Sequence, residues 1–407
     1  MPDPLSPSVS RTHHLVRFRL ALLMFLEYAP LGATIPLFSL HLKEIGFSPQ
    51  QIGWCWATQA MGAIVGPPLL GQFADRWFPA QRCLAVSCIL AGLLYWLLAD
   101  LTSIWFVFPT ALALWLLAFP TTPLVTSLCF ANLRASHKEF GTIRVWGTLS
   151  WGLTCILLGI WLRQPDWLQS WTGFSGPRPL SDIFRIAAIL SVCLGFYALT
   201  LPHTPPRPWG NYRFALMGAV QLFRLPSFVL TWIVAIGIGL TTPFYQQMTP
   251  LLLDSLGARD SSISMLLSLG QLLEVAGLIL HARLLAAWGY RGLMLLGIAA
   301  WTFMMLLDII GRPFELVVGG LLMNGISISC FTVTAQLYCN RLSHSHFRAS
   351  AQALLSLTSG VAMLVGSVLA GIIHDRTSGR FPPVYATAAA VMLASLAIFA
   401  WGFREEA

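Results

Sequence analysis

The chain has 407 residues, 56% of them hydrophobic and only 10% charged, with a formal net charge of +8. Globular soluble chains carry roughly 25% charged residues, so this composition excludes a soluble fold that hides its apolar surface. The positive charge sits in the connections between apolar segments, which excludes reading it as a nucleic-acid-binding face.

A membrane-spanning helix needs about 20 mostly apolar residues. Twelve segments meet that length: 17–41, 51–74, 82–100, 104–131, 141–163, 183–202, 226–253, 261–285, 292–310, 313–339, 348–373 and 382–403. The expected fold is an all-α integral membrane protein with twelve transmembrane helices in two six-helix halves. Residues 1–16 are polar and form an N-terminal tail, and the first span is too long for a cleavable signal segment. Residues 17–202 form the first half, 203–225 a central loop, and 226–407 the second half with a short tail.

The first span carries Glu27, beside Tyr28, and two prolines, Pro30 and Pro36. An acid at bilayer depth costs about 2.5–3.5 kcal/mol and marks a solute or proton path. Glu27 is therefore a candidate proton-coupling residue. In the fifth span Arg144, Thr148 and Trp151 follow at i, i+4 and i+7, one helix face. That face offers a cation, a hydroxyl and an aromatic plane. Arg144 also lies near the end of its span, where a topology charge could snorkel. The Trp- and Pro-rich loop 164–182 suits the membrane interface.

The seventh span holds Pro243 and Pro250, with Tyr245 on the face of Thr242 and Thr249. In the eighth, Gln271 and Glu274 stand at i and i+3 and offer an amide and a carboxylate. Such groups suit an uncharged polar ligand with hydroxyls and ring edges. An aromatic plane would add base stacking worth about 1–3 kcal/mol. Asp308 and Glu315 flank a loop that contains Arg312, and interfacial solvation is expected for both. The eight scattered cysteines read as small core residues.

The halves echo one another. Gly46 and Gly257 each precede, by six positions, an isoleucine that opens the next span, and each follows a helix with two prolines. With the N-terminus inside, 16 Lys and Arg fall on the cytoplasmic side and 8 outside, which places both termini in the cytoplasm. A parallel repeat of two six-helix halves is the architecture of the major facilitator class.

The run Gly71-Gln-Phe-Ala-Asp75-Arg76 after the second span resembles the signature of the major facilitator superfamily. Gly71, Asp75 and Arg76 are its candidate conformational residues. A second copy, Gly371 to Asp375-Arg376, reads as capping. The stretch 140–152 (FGTIRVWGTLSWG), with Pro123 to Phe130, Gln271 to Glu274 and Arg348 to Gln352, resembles the nucleoside:proton symporter family of that superfamily. The resemblance implies inward nucleoside transport with protons. It implies polar contacts from spans five, seven, eight and ten; the residues whose spacing suits such contacts are Arg144, Thr148 and Trp151 in one half and Tyr245, Gln271 and Glu274 in the other.

The sequence departs from the family in the tenth span. The resemblance implies an acid near Ser329, where 324–334 contains none. Coupling then falls to Glu27 or Glu274, or the protein is a facilitator, or its substrate differs. An importer of another polar solute such as a sugar, a drug exporter and a non-transporting receptor stay open. The fifth span lacks the glycine-proline run of antiporters, which disfavours an exporter. No phosphate loop, metal-ligand spacing or nucleophile–base pair points to an enzyme, a cofactor or a metal. The expected partners are a small nucleoside-like solute, protons and membrane lipids, with no nucleic acid.

Overall fold

The computed structural model describes residues 7–76, 78–133, 136–174, 176–204, 221–342 and 348–405, without the side chains of 7–14, 67–76, 136–139, 221, 340 and 348–353. Twelve spans run through it in alternating directions. Span one comprises Pro7–Thr34, a 3-10 turn Ile35–Leu37 and Phe38–Glu44. Span two is Pro49–Arg76, span three Ala80–Leu98, and span four the pair Ile104–Ala118 and Thr121–Asn132. Span five is Ser136–Arg163 and span six Asp182–Leu199. Span seven is Pro226–Gln246 with Met248–Ser255. Spans eight and nine share Asp260–Leu267 and the long helix Leu269–Ile310, which breaks at Gly289 with φ 65° and ψ 179°. Span ten is Phe314–Ser327, a π-helical turn Ile328–Thr332 and Val333–Leu342. Spans eleven and twelve are Arg348–Arg376 and Phe381–Gly402. The central loop expected at 203–225 lies mostly outside the described residues.

Some of the proline-bearing helices break near a proline, whose missing N–H weakens the helix. Span one breaks around Pro36 and span seven at Gln247, between Pro243 and Pro250. The sequence reading missed a third break, at Pro120 in span four. In lipid every backbone polar group must be satisfied within protein or a wet cavity, so these broken segments belong to the interior of the bundle.

The internal echo is present in the backbone. Gly46 and Gly257 both take the left-handed conformation, at φ 88° and 90°. Gly46 N–H donates to the Lys43 carbonyl, and Gly257 N–H to that of Asp254. Phe47 and Ala258 repeat the match five residues back, onto Leu42 and Leu253. The two turns are the same structure used twice, and they lie at one end of the bundle, the distal end. The described chain ends, Pro7 and Glu405, lie at the other.

The two halves meet most closely at the distal end. Lys43 and Asp254, equivalent positions of the repeat, form an ion pair of 2.6 Å across the halves. Ser264 of span eight donates to the Cys155 carbonyl of span five at 2.5 Å. A side chain added at Gly371 of span eleven would press within 2.7 Å of the Pro49 carbonyl and 3.0 Å of the Gly53 Cα in span two. Gly371, expected to be a simple cap, is therefore a packing glycine. This is a distal-closed arrangement of the halves.

Closure at Gly371 leaves no room for a side chain, so Gly371→Leu is expected to favour a distal-open state. Spin labels at Ser48→Cys and Arg259→Cys, on the distal turns of the two halves, should then report a longer distance. An unchanged distance distribution would contradict this account of the closure.

Candidate functional site

Three hydrogen bonds between described residues cross from one half to the other, and one joins side chains at mid-depth: Thr148 Oγ1 donates to Glu274 Oε1 at 3.1 Å. Both residues are buried, at 4% and 7% exposure. Span five carries Gly152 one turn beyond Thr148, and it faces Gln271 of span eight. A β-carbon at Gly152 would stand 3.6 Å from Cβ of Gln271. Thr148 of the one expected face and Glu274 of the other therefore do meet.

Arg144 lies one turn from Thr148, toward the terminal end. Its guanidinium sits 4.4 Å from the ring centroid of Tyr28 in span one. Gly147 makes room for this stack, since a side chain there would strike both the Tyr28 ring and Arg144 Nη1. The charge also acts on Glu274 through space without forming a direct ion pair. A topology charge would extend to the interface. Arg144 instead turns inward, with Nη1 buried and unpartnered. Tyr28 was not assigned a role from sequence, because only the fold brings span one beside span five.

Gln271 is half-buried, and its Oε1 has no hydrogen-bond partner. An unused donor on Arg144 and an unused acceptor on Gln271 thus flank the Thr148–Glu274 bond. Buried polar atoms normally find partners, so this set is suited to a polar ligand. Trp151 is half-buried and packs on the main apolar core. Tyr245 does not join this group directly. Its ring packs edge-on against Trp301 of span nine, 5.7 Å between centroids. The break in span seven adds two amides the sequence reading passed over: Gln246 Oε1 and both side-chain polar atoms of Gln247 are buried and unpartnered. Consecutive amides between two prolines were the available signal.

Glu27 lies in a separate place. Its Oε1 accepts from Thr121 at 2.7 Å and Thr122 at 2.9 Å, the first residues after the break in span four. Its Oε2 is unpartnered, as is the hydroxyl of Tyr95 in span three. Both residues line a cavity of about 20 Å³ with Ser191 of span six. Everything around Glu27 belongs to the first half.

Asp308 overturns an expectation. It is 1% exposed, with both carboxyl oxygens unpartnered, whereas Glu315 and Arg312 are exposed as expected. Spans seven and twelve cover it, and Tyr245 and Tyr385 are its electrostatic neighbours. Ser329, where the family resemblance implies an acid, turns its hydroxyl back onto the Gly325 carbonyl at 2.8 Å. The side chains of Gly71, Asp75 and Arg76 lie outside the described residues, as do those of Arg348 and Gln352.

The sequence model of the Nucleoside H+ symporter family matches residues 15–407. The chain is 30% identical to the putative nucleoside transporter YegT of Escherichia coli (strain K12), over 95% of this chain and 93% of that one. It is 26% identical to the xanthosine permease of the same organism, over 96% of each. Among solved structures, the fold matches a mutant form of the nucleoside transporter NupG with a TM-score of 0.81 at 21% identity, over 96% of this chain and 100% of that one. These relatives are transporters, and the twelve spans here adopt the major facilitator fold in a multi-pass membrane protein. The chain belongs to the Nucleoside H+ symporter family.

Proposed function

We propose that this protein imports nucleosides with protons by alternating access, and that the ligand binds between Arg144, Thr148 and Trp151 of the first half and Gln271 and Glu274 of the second. The observation that carries this reading is the Thr148–Glu274 hydrogen bond across the halves, flanked by the unused polar atoms of Arg144 and Gln271. A ligand that engages both faces ties binding to the relative position of the halves. Tyr245 contributes from behind, by holding the broken part of span seven against Trp301. Gln246 and Gln247 add hydrogen-bonding capacity at that break. Gly71, Asp75 and Arg76 act in the change of state. The surplus of Lys and Arg at the terminal end supports cytoplasmic termini. The distal-closed arrangement is then the state open to the cytoplasm.

Rigid-body rocking changes contacts between the halves and preserves those within each half. This separates the two acids. The partners of Glu27, Thr121 and Thr122, move with it. Thr148 and Arg144 do not move with Glu274. Only Glu274 therefore exchanges its surroundings during the cycle, and we assign it the coupling proton. Glu27 then holds the break in span four against span one.

Labelled uridine and adenosine should accumulate in proteoliposomes under an inward proton gradient. Uptake that merely equilibrates would mean a facilitator, and no uptake of either would move the substrate to another polar solute. Glu274→Gln is expected to abolish gradient-driven accumulation and to spare exchange, whereas Glu27→Gln keeps the gradient response. The reverse pattern would reassign coupling to Glu27. Arg144→Gln removes a charged hydrogen-bond donor worth about 1.5–3 kcal/mol, so uridine should bind roughly 10- to 100-fold more weakly by calorimetry. Binding within twofold of the parent would take Arg144 out of the site.

A further inference from the structure

The seam between spans eight and ten carries a titratable group that the transport reading leaves unused. The seam is narrow because glycines line it. A side chain at Gly270 would meet Asn324, one at Gly277 the Ser329 hydroxyl, and one at Gly325 the backbone of Gly270 and Glu274. Small residues allow such approach between membrane helices. His281 lies farther along the same face of span eight, seven residues beyond Glu274, which is two turns or about 10 Å.

Polar side chains follow this seam from mid-depth toward the terminal end. Glu274 comes first, then Ser329, then His281 with Thr334. The Nε2 of His281 lies 3.0 Å from Thr334 Oγ1. Thr334 reaches that place because span ten makes a π-helical turn, in which the Val333 amide bonds the Ile328 carbonyl five residues back. The wider turn brings residues five apart into line, so Ser329 and Thr334 both face span eight. Ring nitrogens of His41 and His374 are buried without partners, whereas neither nitrogen of His281 is. One nitrogen of His281 is thus fixed on Thr334.

Among the described residues, the charged and titratable groups of the adjoining elements are engaged elsewhere. Arg283, two residues on, is exposed. Arg341 of span ten pairs with Glu405 after span twelve at 2.6 Å. Arg291 of span nine donates to the Ala400 carbonyl. Arg144 of span five stacks on Tyr28. The thiol of Cys330 lies beside Ser329, and Tyr338 packs on Tyr290 and Phe403. Among the described residues none of these forms an ion pair or hydrogen bond with the imidazole.

We infer that His281 is a second protonatable site, the relay by which the proton carried on Glu274 leaves toward the terminal end. The inference rests on the proton-coupled reading given above. In the step, the O–H bond of Glu274 breaks and its proton passes through water to Nδ1 of His281. The imidazolium then gives that proton to water at the terminal end, while Nε2 keeps its hydrogen bond to Thr334. No oxidant or further reactant takes part. Histidine suits the task because its ordinary titration range spans neutral pH.

The test uses the full-length protein in proteoliposomes, with uridine as substrate and pyranine inside as proton reporter. His281→Gln should keep uridine exchange at zero gradient and lose at least about tenfold in gradient-driven accumulation, the scale of a lost proton-transfer group. Its uridine-driven proton flux should also lose the inflection that the imidazole contributes to the pH profile. Thr334→Val should displace that inflection. His281→Gln with Ser329→Asp, which returns an acid to the seam, should restore accumulation. If His281→Gln fails to insert, the Thr334→Val profile and the double variant decide. The relay is overturned if His281→Gln accumulates uridine like the parent, or if Thr334→Val leaves the pH profile unchanged and the double variant rescues nothing. A parent protein that exchanges uridine without gradient-driven accumulation would remove the coupled reading itself. That outcome is distinct from a coupled parent with an indifferent His281.

Discussion

The hydrogen bond from Thr148 to Glu274 is the contact on which the rest of the site depends. It joins a hydroxyl of one half to a carboxyl of the other at mid-depth, where water is scarce and a buried acid is expensive. To form it, spans five and eight must approach closely, with Gly152 facing Gln271. Arg144 must reach inward, and Tyr28 and Gly147 hold it there. Apolar packing alone would close the halves with no preference for a ligand. The polar pair makes their approach depend on what lies between them.

Around this contact the chain uses backbone breaks as much as side chains. Spans one, four, seven and ten each depart from regular helix, at Pro36, Pro120, Gln247 and the turn Ile328–Thr332. Each departure frees or reorients groups next to a polar residue. The break at Pro120 presents Thr121 and Thr122 to Glu27. The π-helical turn presents Thr334 to His281. Within a bilayer such irregularity is tolerable where protein or a wet cavity satisfies the backbone, so the irregular segments and the functional ones coincide.

Much of this was legible in the sequence, because lipid imposes a coarse and regular code. Span length, the Gly46 and Gly257 turns and the faces of Arg144 and Glu274 all follow from periodicity and composition. What stayed hidden depended on which span neighbours which. Asp308 reads as a loop acid because it sits four residues from Arg312, but spans seven and twelve cover it. Tyr28 and Tyr95 lie far in sequence from Arg144 and the cavity wall they serve. The π-helical turn has no hydrophobic period of its own. Tyr245 packs its ring against Trp301 of span nine, a neighbour that the sequence of span seven does not reveal.

The distribution of buried acids separates structural from coupling roles on mechanical grounds. Asp308 has its electrostatic neighbours Tyr245 and Tyr385 in its own half, and Glu27 has Thr121 and Thr122 in its own. A rocking half carries such an acid and its surroundings together, so the transport cycle does no work on it. Glu274 looks across the divide, so in the proposed cycle each change of state would separate it from Thr148 and Arg144. A proton bound in one state is released in the other only if the environment differs between the states. His281 meets a complementary requirement. A relay has to offer the same path in every cycle, and its anchor on Thr334 lies within its own half. In the proposed mechanism, the pairing of a group that switches with a group that stays fixed would convert motion between halves into directed proton movement.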